Sequence, residues 1–466
     1  MHLLPAHVHW PLSGLEHGAF VLAGLLIYLT STRLSREHRH PSAALAWVLT
    51  IALLPYVGIP LYLLFGVRKV PRPHARLRQA LTQQDGEAPH WAIELGQALA
   101  LPAATRNDTV SFQADGQTAL NVLLDLIRQA RRQIDICTFI LGHDEVANAL
   151  TKELTLAASR GVKVRLLLDD LGSWSTPRSL VRTLKQHGVA VQFFMPVLHN
   201  IRRGRVNLRN HRKLVVIDGQ HVWSGGRNLA SEYFVRQDHS PAWNDISFVI
   251  SGPMARQAHD LYQQDWQVAS GEISFVDVPV CHPAGPASGG LMQWIPSGPD
   301  HADDTIHALL LAAAYRAERR IVLVSPYFVP DDALLSAWCL ACRRGVQLTL
   351  VLPARSNHRL ADVARAPSLR ALMAAGAEVM LYPRMLHAKA VIVDDDMAWC
   401  GSANLDARSL FLNFELNTAF YDEQSITWLT QWALRLANES QPARSQPPSA
   451  ARELLEGLVR VIGFQL

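Results

Sequence analysis

The sequence predicts an α/β protein built as two pseudo-symmetric lobes, each a mixed sheet flanked by helices, behind an N-terminal transmembrane helical hairpin. Three observations lead there. Pro41 to Val67 is a run of 27 residues without one Asp, Glu, Lys, Arg or His. From about residue 108 onward, strand-like and helix-like stretches alternate. The pattern H-x-K-x4-D occurs at His211 and again at His387.

The composition fits that division. At 466 residues the chain has material for two or three domains with a buried core. Hydrophobic residues make up 49% and charged ones 18%, against about a quarter charged in an ordinary soluble domain. That excludes a disordered or collagen-like chain and points to a part lying in lipid. The 44 Lys+Arg against 40 Asp+Glu leave +4, too mild a balance to indicate nucleic acid. Five scattered cysteines, at 137, 281, 339, 342 and 400, build no disulfide framework, and a reducing compartment follows for the main domain.

About 20 apolar residues span a bilayer, so Pro41–Val67 reads as a transmembrane helix, kinked near its middle by Pro55, Gly58 and Pro60. Residues 11–32 form a weaker segment in which only Glu16 and His17 are ionisable. It is not a signal peptide, because no Lys or Arg precedes Arg33. An interfacial helix is its other reading, since its uncharged stretch is short. Arg33, Arg36 and Arg39 lie between the segments, whereas Arg68, Lys69, Arg72, Arg76 and Arg78 follow the second. The larger cluster places everything after Val67 in the cytoplasm.

The remainder repeats itself. Leu120–Ala130 has a helical apolar pattern, Ile134–Leu141 is β-rich, and a helix ending near Arg160-Gly161 leads into the strand Val162–Leu168. The second half matches with helix Thr305–Ala317, strand Ile321–Val324, helix Pro330–Arg344 and strand Val346–Leu352. Pro279–Gly290 holds three Pro and three Gly, a linker. The expected organisation is an anchor (1–70), a linker (71–107), a first lobe (108–278), the linker 279–290, a second lobe (291–440) and a C-terminal tail helix (441–466).

The chemistry sits in the repeat. His211-Arg-Lys213-Leu-Val-Val-Ile-Asp218 is followed by Gly225-Gly226-Arg227-Asn228, and His387-Ala-Lys389-Ala-Val-Ile-Val-Asp394 by Gly401-Ser402-Ala403-Asn404. In both copies the Asn comes 17 residues after the His. One such histidine is ordinarily structural; two copies with five matched positions are not coincidence. On a strand, His and Lys two residues apart share a face. Hairpins centred between 219 and 220, and between 395 and 396, would return Asn228 beside His211 and Asn404 beside His387. Such a cluster suits phosphoryl transfer: Lys as a point charge, Asn as a neutral donor, neutral imidazole as nucleophile and imidazolium as acid. Asp218 and Asp394 belong to the same motif. Strand alternation turns them to the opposite face, which assigns them to bracing the turn or lobe interface rather than to proton transfer.

These residues resemble the phospholipase D superfamily, whose paired H-x-K-x4-D motifs build one active site, over roughly residues 108 to 435. With the N-terminal apolar pair and basic segment, the chain is most similar to the bacterial cardiolipin synthases. Further matches are Glu232-Tyr233-Phe234, Ser325-Pro326-Tyr327-Phe328-Val329-Pro330-Asp331 and Leu405-Asp406 with Arg408-Ser409. The resemblance implies a phospholipase D-like fold in each lobe, a phosphohistidine intermediate, and neither metal nor other cofactor. It implies transfer of a phosphatidyl group between two phosphatidylglycerols with release of glycerol, no nucleic-acid partner, and integral association with the bacterial inner membrane. It makes His211, Lys213, Asp218, His387, Lys389 and Asp394 the catalytic set, with Asn228, Asn404 and Ser402 on the phosphate. The superfamily pattern has Ser where Gly226 stands, leaving Ser402 as the single copy. Asp245, 34 residues after His211, and Glu415, 28 after His387, occupy the family's position for a carboxylate behind the imidazole.

Other features carry less. Cys339-Leu-Ala-Cys342 lies in a helical stretch with no second pair, so it reads as core packing rather than zinc. Trp428–Trp432 reads as a core helix, and Arg452–Leu466 as an amphipathic helix for lobe docking or membrane contact. The rival functions are a hydrolytic phospholipase D using water as acceptor, a nuclease, which the mild charge and membrane segments oppose, and a membrane scaffold, which two intact motifs oppose. Oligomeric state is not legible.

Overall fold

The computed structural model describes residues 14–34, 41–66, 68–69, 90–197, 205–237, 240–271, 289–445 and 447–462. The linker 279–290, save its last two residues, lies outside them, as do Arg36, Arg39, Arg72, Arg76 and Arg78.

The apolar N-terminus is helical, but its lengths reverse the order expected. Helix α1, Gly14–Leu34, has 21 residues, roughly 30 Å at the helical rise. Among the described residues it is the one helix long and apolar enough to cross a bilayer. Leu22, Leu26 and Leu29 on it are more than half exposed, as a lipid-facing helix requires. The second segment is not one kinked span. It breaks at Leu54 into α2, Pro41–Leu53, and α3, Pro55–Phe65, each too short for a hydrocarbon core of about 30 Å. Pro55 starts the new helix, where its missing N–H costs nothing. The two short helices fold back on each other: Trp47 and Tyr62 meet edge to face at 5.2 Å, and Tyr28 of α1 meets Tyr62 at 5.4 Å. Gly58 permits the fold-back, since a Cβ there would lie 2.7 Å from the Thr50 carbonyl oxygen.

The body is a duplication. The strands in chain order are β1 Thr105–Arg106, β2 Thr109–Gln113, β3 Gln133–Thr138, β4 Lys163–Asp169, β5 Ala190–Phe194, β6 Leu214–Ile217, β7 His221–Gly225, β8 Ser247–Ser251, β9 Leu291–Ser297, β10 Arg320–Val324, β11 Phe328–Val329, β12 Gln347–Pro353, β13 Glu378–Tyr382, β14 Ala390–Val393, β15 Met397–Gly401, β16 Leu405–Asp406, β17 Glu415–Phe420 and β18 Gln441–Pro442. The first lobe's sheet runs β2-β8-β7-β6-β3-β4-β5. The second runs β9-β17-β15-β14-β10-β12-β13, extended by β1 and β18. The shared order is the repeat expected from the sequence. In both, three parallel strands (β3-β4-β5; β10-β12-β13) continue into antiparallel ones. Aspartates cap the helices between them: Asp115, Asp144, Asp331 and Asp422 each accept from a backbone N–H of the first turn.

The edges of the lobes differ from expectation. Residues 90–106, read as linker, add helix Trp91–Ala98 and strand β1 to the second lobe, with Ala92 and Leu101 in its core. The tail helix Ala450–Ile462 docks on the same lobe through Val459, packed near Val329 and Ala364, and through Glu456, held by Arg370. Cys339 and Cys342 pack against the second lobe's core, as read.

The lobes share an interior. One cluster joins Leu214, Phe248, Tyr262 and Trp266 of the first to Trp294, Phe414, Phe420 and Trp432 of the second. Phe112 stacks on Trp428 at 4.5 Å, and the Trp294 indole donates to the Met254 carbonyl at 3.0 Å. Losing one such buried tryptophan ring typically costs about 3–5 kcal/mol, so the seam contributes to stability as a core does.

Both motif hairpins close one residue differently from the sequence expectation. Ile217 pairs with His221 and Val393 with Met397, leaving three-residue loops. The cause is the motif aspartate. Asp218 turns its carboxylate onto the N–H groups of Arg131, Arg132 and Gln133 at 2.8–2.9 Å, and Asp394 onto Glu318, Arg319 and Arg320 at 2.8–3.0 Å. Each then takes a left-handed φ, 55° and 50°. The aspartates brace a turn to the start of β3 or β10 and face away from the histidines.

Candidate active site

Each histidine sits just before the central hairpin of its lobe, in backbone tied to the other lobe. His211 N donates to Phe414 O at 2.9 Å, and His387 N to Asn244 O at 2.7 Å. Isolated parallel bridges, Asn210 with Phe414 and Asn244 with Leu386, fix both crossings. The next residue along each partner strand is the carboxylate. So His211 Nδ1 lies 3.0 Å from both oxygens of Glu415, and His387 Nδ1 lies 2.7 Å from Asp245 Oδ2. Sequence distance had set Asp245 behind His211 and Glu415 behind His387; the structure exchanges them, because the backbone bridges cross the seam. With Nδ1 facing a carboxylate, Nε2 is the nitrogen of each ring turned away from that carboxylate.

The lysines lie against their own histidines. Lys213 Nζ donates to His211 O at 2.8 Å, and Lys389 Nζ lies 2.8 and 3.0 Å from the two ring nitrogens of His387. All four groups are buried. Burial lowers His211 to about 4, with Glu415 opposing and Lys213 reinforcing. Burial and then Lys389 lower His387 to about 3 against the pull of Asp245. Burial also brings Lys213 to about 7 and Lys389 to about 8. Burial would raise the carboxylates, but the facing imidazoles and nearby lysines hold Asp245 and Glu415 below their usual range.

The charge count explains how one site supplies both a nucleophile and an acid. Below about pH 7 the two carboxylates cancel two ammonium groups, and both imidazoles are neutral. A phosphodiester adds one negative charge among these buried groups, and protonating one imidazole restores the balance. The other stays neutral and nucleophilic.

The remaining expected residues divide. Asn228 and Asn404 are buried; the Asn228 Nδ2 donates to Tyr233 Oη at 2.8 Å, and each Oδ1 lacks a partner among the described residues. Ser402 is not aimed at a phosphate. Its hydroxyl donates to Glu415 Oε2 at 2.5 Å and accepts from Leu416 N at 2.8 Å, so it steadies the carboxylate behind His211. The Gly226 departure from the superfamily pattern has a steric reason: a Cβ there would lie 2.2 Å from Asp245 Oδ1. Asp218 and Asp394 stay outside the cluster, tied to backbone amides as described.

Three neighbours escaped sequence reasoning. Phe139 packs edge-on to His211 at 5.0 Å, and Tyr233 does the same to His387 at 4.9 Å. Tyr233 stood in a quoted motif without a role; Phe139 left no signal. Arg212 was passed over as the variable residue of H-x-K. It is fully buried, bonds both oxygens of Asp265 at 2.8 Å, and donates to Glu415 O at 3.1 Å.

Comparisons with known proteins identify a family. A family profile described as "Cardiolipin synthase, PLD-like domain" matches residues 123–266 and 310–437, and one described as "Phospholipase D-nuclease N-terminal" matches residues 21–66. The chain is 32% identical to Cardiolipin synthase A of Pseudomonas putida (strain W619), over 96% of each chain. It is 33% identical to Cardiolipin synthase 2 of Bacillus anthracis, over 88% of this chain and 82% of that one. The crystal structure of a phosphatidylserine synthase from Haemophilus influenzae Rd KW20 shares the fold: TM-score 0.59 at 14% identity, over 80% of this chain and 100% of that one.

Two outcomes are expected. Asp245→Asn should leave the fold intact and lower turnover about 10²- to 10⁴-fold; in histidine NMR titrations His387, not His211, should be the ring that changes. A change at His211 would contradict the crossed pairing. Second, kcat/KM should hold from about pH 5 to 6 and fall as the pH rises through the range of about 7 to 8 where Lys213 and Lys389 lose their protons. A profile still climbing at about pH 9 would take the lysines out of phosphate binding.

Proposed function

The chain belongs to the cardiolipin synthase family of phospholipase D-like enzymes, and from that membership we propose that it joins two phosphatidylglycerols into cardiolipin with release of glycerol. It is a membrane-associated phosphatidyltransferase. The observation that carries the proposed mechanism is the pair of crossed imidazole–carboxylate couples, each with its own lysine.

In the first half-reaction His211 Nε2 attacks the phosphorus of one phosphatidylglycerol. The phosphorus–oxygen bond to the glycerol head group breaks, and the His387 imidazolium gives its proton to the departing alkoxide. A phosphatidyl-histidine and free glycerol result. In the second, neutral His387 takes the proton of a glycerol hydroxyl on another phosphatidylglycerol, whose oxygen displaces His211. Lys213 and Lys389 offset the charge on the phosphoryl oxygens throughout, and the amides of Asn228 and Asn404 supply neutral donors. Glu415 and Asp245 fix each ring's tautomer.

Water could take the acceptor's place, so transfer needs the acceptor held in line. Bulk water is near 55 M, whereas a well-oriented bound group can act as though present at about 10⁵ M or above. A site held at the membrane gives that advantage to lipid. The orientation proposed is the bacterial inner membrane with the lobes in the cytoplasm. If α1 alone crosses, Arg33 at its end and Arg68 and Lys69 after α3 lie on the same side as the lobes, which removes the conflict between the two basic clusters.

Labelled phosphatidylglycerol in bilayers should therefore give mainly cardiolipin and glycerol, with phosphatidic acid minor, and rapid acid quenching should trap the adduct on His211. Chiefly phosphatidic acid would make the protein a hydrolytic phospholipase D; an adduct on His387 would reverse the roles. A cysteine reagent confined to the cell exterior should miss positions engineered after residue 90, and labelling there would overturn the orientation.

A further inference from the structure

Two apolar tips stand at the edge of the lobes that holds the histidines. In the first lobe the turn after β4 exposes Leu171 at 48% and Trp174 at 76%. That turn is built against the site. Ser173 Oγ donates to Phe139 O at 2.9 Å, Gly172 lies so close to Phe139 that a Cβ would come within 2.3 Å of its carbonyl oxygen, and Phe139 packs on His211. In the second lobe the segment after β12, the pseudo-symmetric partner of β4, exposes Leu360 at 54%. Its approach is braced by Tyr327, whose hydroxyl donates to Asn357 at 2.6 Å and whose ring meets His358 at 5.2 Å.

The membrane segment is fastened to this same edge. Ser297 is paired with Glu415, so the turn that follows it lies at the site's end of the sheet. Arg68 and Lys69, just past α3, grip that turn. Lys69 Nζ is 2.8 Å from Asp304 Oδ1 and donates to His301 O at 3.0 Å; Arg68 pairs with Asp304 and lies over the Phe411 ring at 4.6 Å. The apolar helices and the two tips therefore start from one edge. Beside the tips Arg178, Arg355 and Arg359 are exposed, and none makes an ion pair among the described residues. Tryptophan at a polar–apolar boundary with arginine beside it is the composition that seats in the interfacial layer of an anionic bilayer.

We propose that the Leu171–Trp174 turn and Leu360 form a membrane-insertion rim around the catalytic mouth, seating it in the interface of an anionic bilayer so that lipid head groups enter without crossing water. The proposal rests on the phosphatidylglycerol reading and adds which surface meets the lipid. The head group would pass between the tips to Phe139 and the imidazoles while its acyl chains stay in the bilayer.

The test uses the full-length protein in phosphatidylglycerol vesicles carrying shallow brominated lipid, alongside Trp174→Phe. The parent should lose more tryptophan emission to bromine than Trp174→Phe does, the difference being the contribution of Trp174 itself. Leu171→Ser with Trp174→Ser should lower turnover on vesicles about 10-fold, while turnover on a short-chain, monomeric phosphatidylglycerol falls less than about 2-fold. Equal quenching in parent and Trp174→Phe, or equal loss on both substrates, would overturn the proposal. So would a fall in oligomer mass by light scattering in the double variant, which would make the tips a contact with a second copy. Failure of the functional reading is separate: the parent itself would then make no cardiolipin, whatever its quenching.

Discussion

Neither histidine in this protein takes its Nδ1 carboxylate from its own lobe. Glu415 belongs to the second lobe and holds His211 of the first; Asp245 belongs to the first and holds His387 of the second. A buried imidazole without a fixed hydrogen bond has neither a defined tautomer nor a defined direction. Each half thus lacks something that the other supplies, and the single chain is what keeps the halves in register. The shared core around Trp294, Phe414 and Trp432 follows from that need, since the crossed pairs survive only if the seam does not slide.

The seam is held by charge as well as by packing. Arg212 reaches from the first lobe's catalytic strand to Asp265 on helix Pro253–Ser270 and to the backbone of Glu415. Its guanidinium is wholly buried, which is tolerable only because carboxylate and carbonyl oxygens receive it. Asp300, 3.8 Å from Arg212, stands in the turn whose other end is gripped by Arg68 and Lys69. A continuous run of ion pairs and short turns thus links the end of the membrane segment to the carboxylate behind His211. Membrane attachment and active-site geometry share a foundation.

The two halves meet the same requirement with different residues. In the second lobe the longer Glu415 is steadied by the Ser402 hydroxyl. In the first, Asp245 occupies the space that a side chain at position 226 would fill, and Ile246 N donates to it at 2.7 Å. Glycine there makes room for the shorter acid. The departure at Gly226 goes with a steric accommodation, and the serine it was compared with bonds the Glu415 carboxylate and the Leu416 amide.

The sequence alone determined the duplication, the strand and helix order, the apolar N-terminus and nearly all residues of the site, because periodicity and motif spacing are local properties. His211, Lys213, His387, Lys389, both asparagines and both carboxylates were legible as types in a repeated pattern. What it could not determine was which partner each would take. The contacts that decide this join residues 204 and 142 positions apart, and nothing within either motif distinguishes a carboxylate from its own half from one across the seam. The same limit applied elsewhere: the one-residue shift of the hairpins depends on Asp218 reaching the amides before β3, the division of the second apolar segment depends on α3 folding back against Thr50, and the grip of Lys69 depends on a turn more than 200 residues away. Tertiary structure decided these because each is chosen by a long-range contact between groups that had several chemically adequate partners.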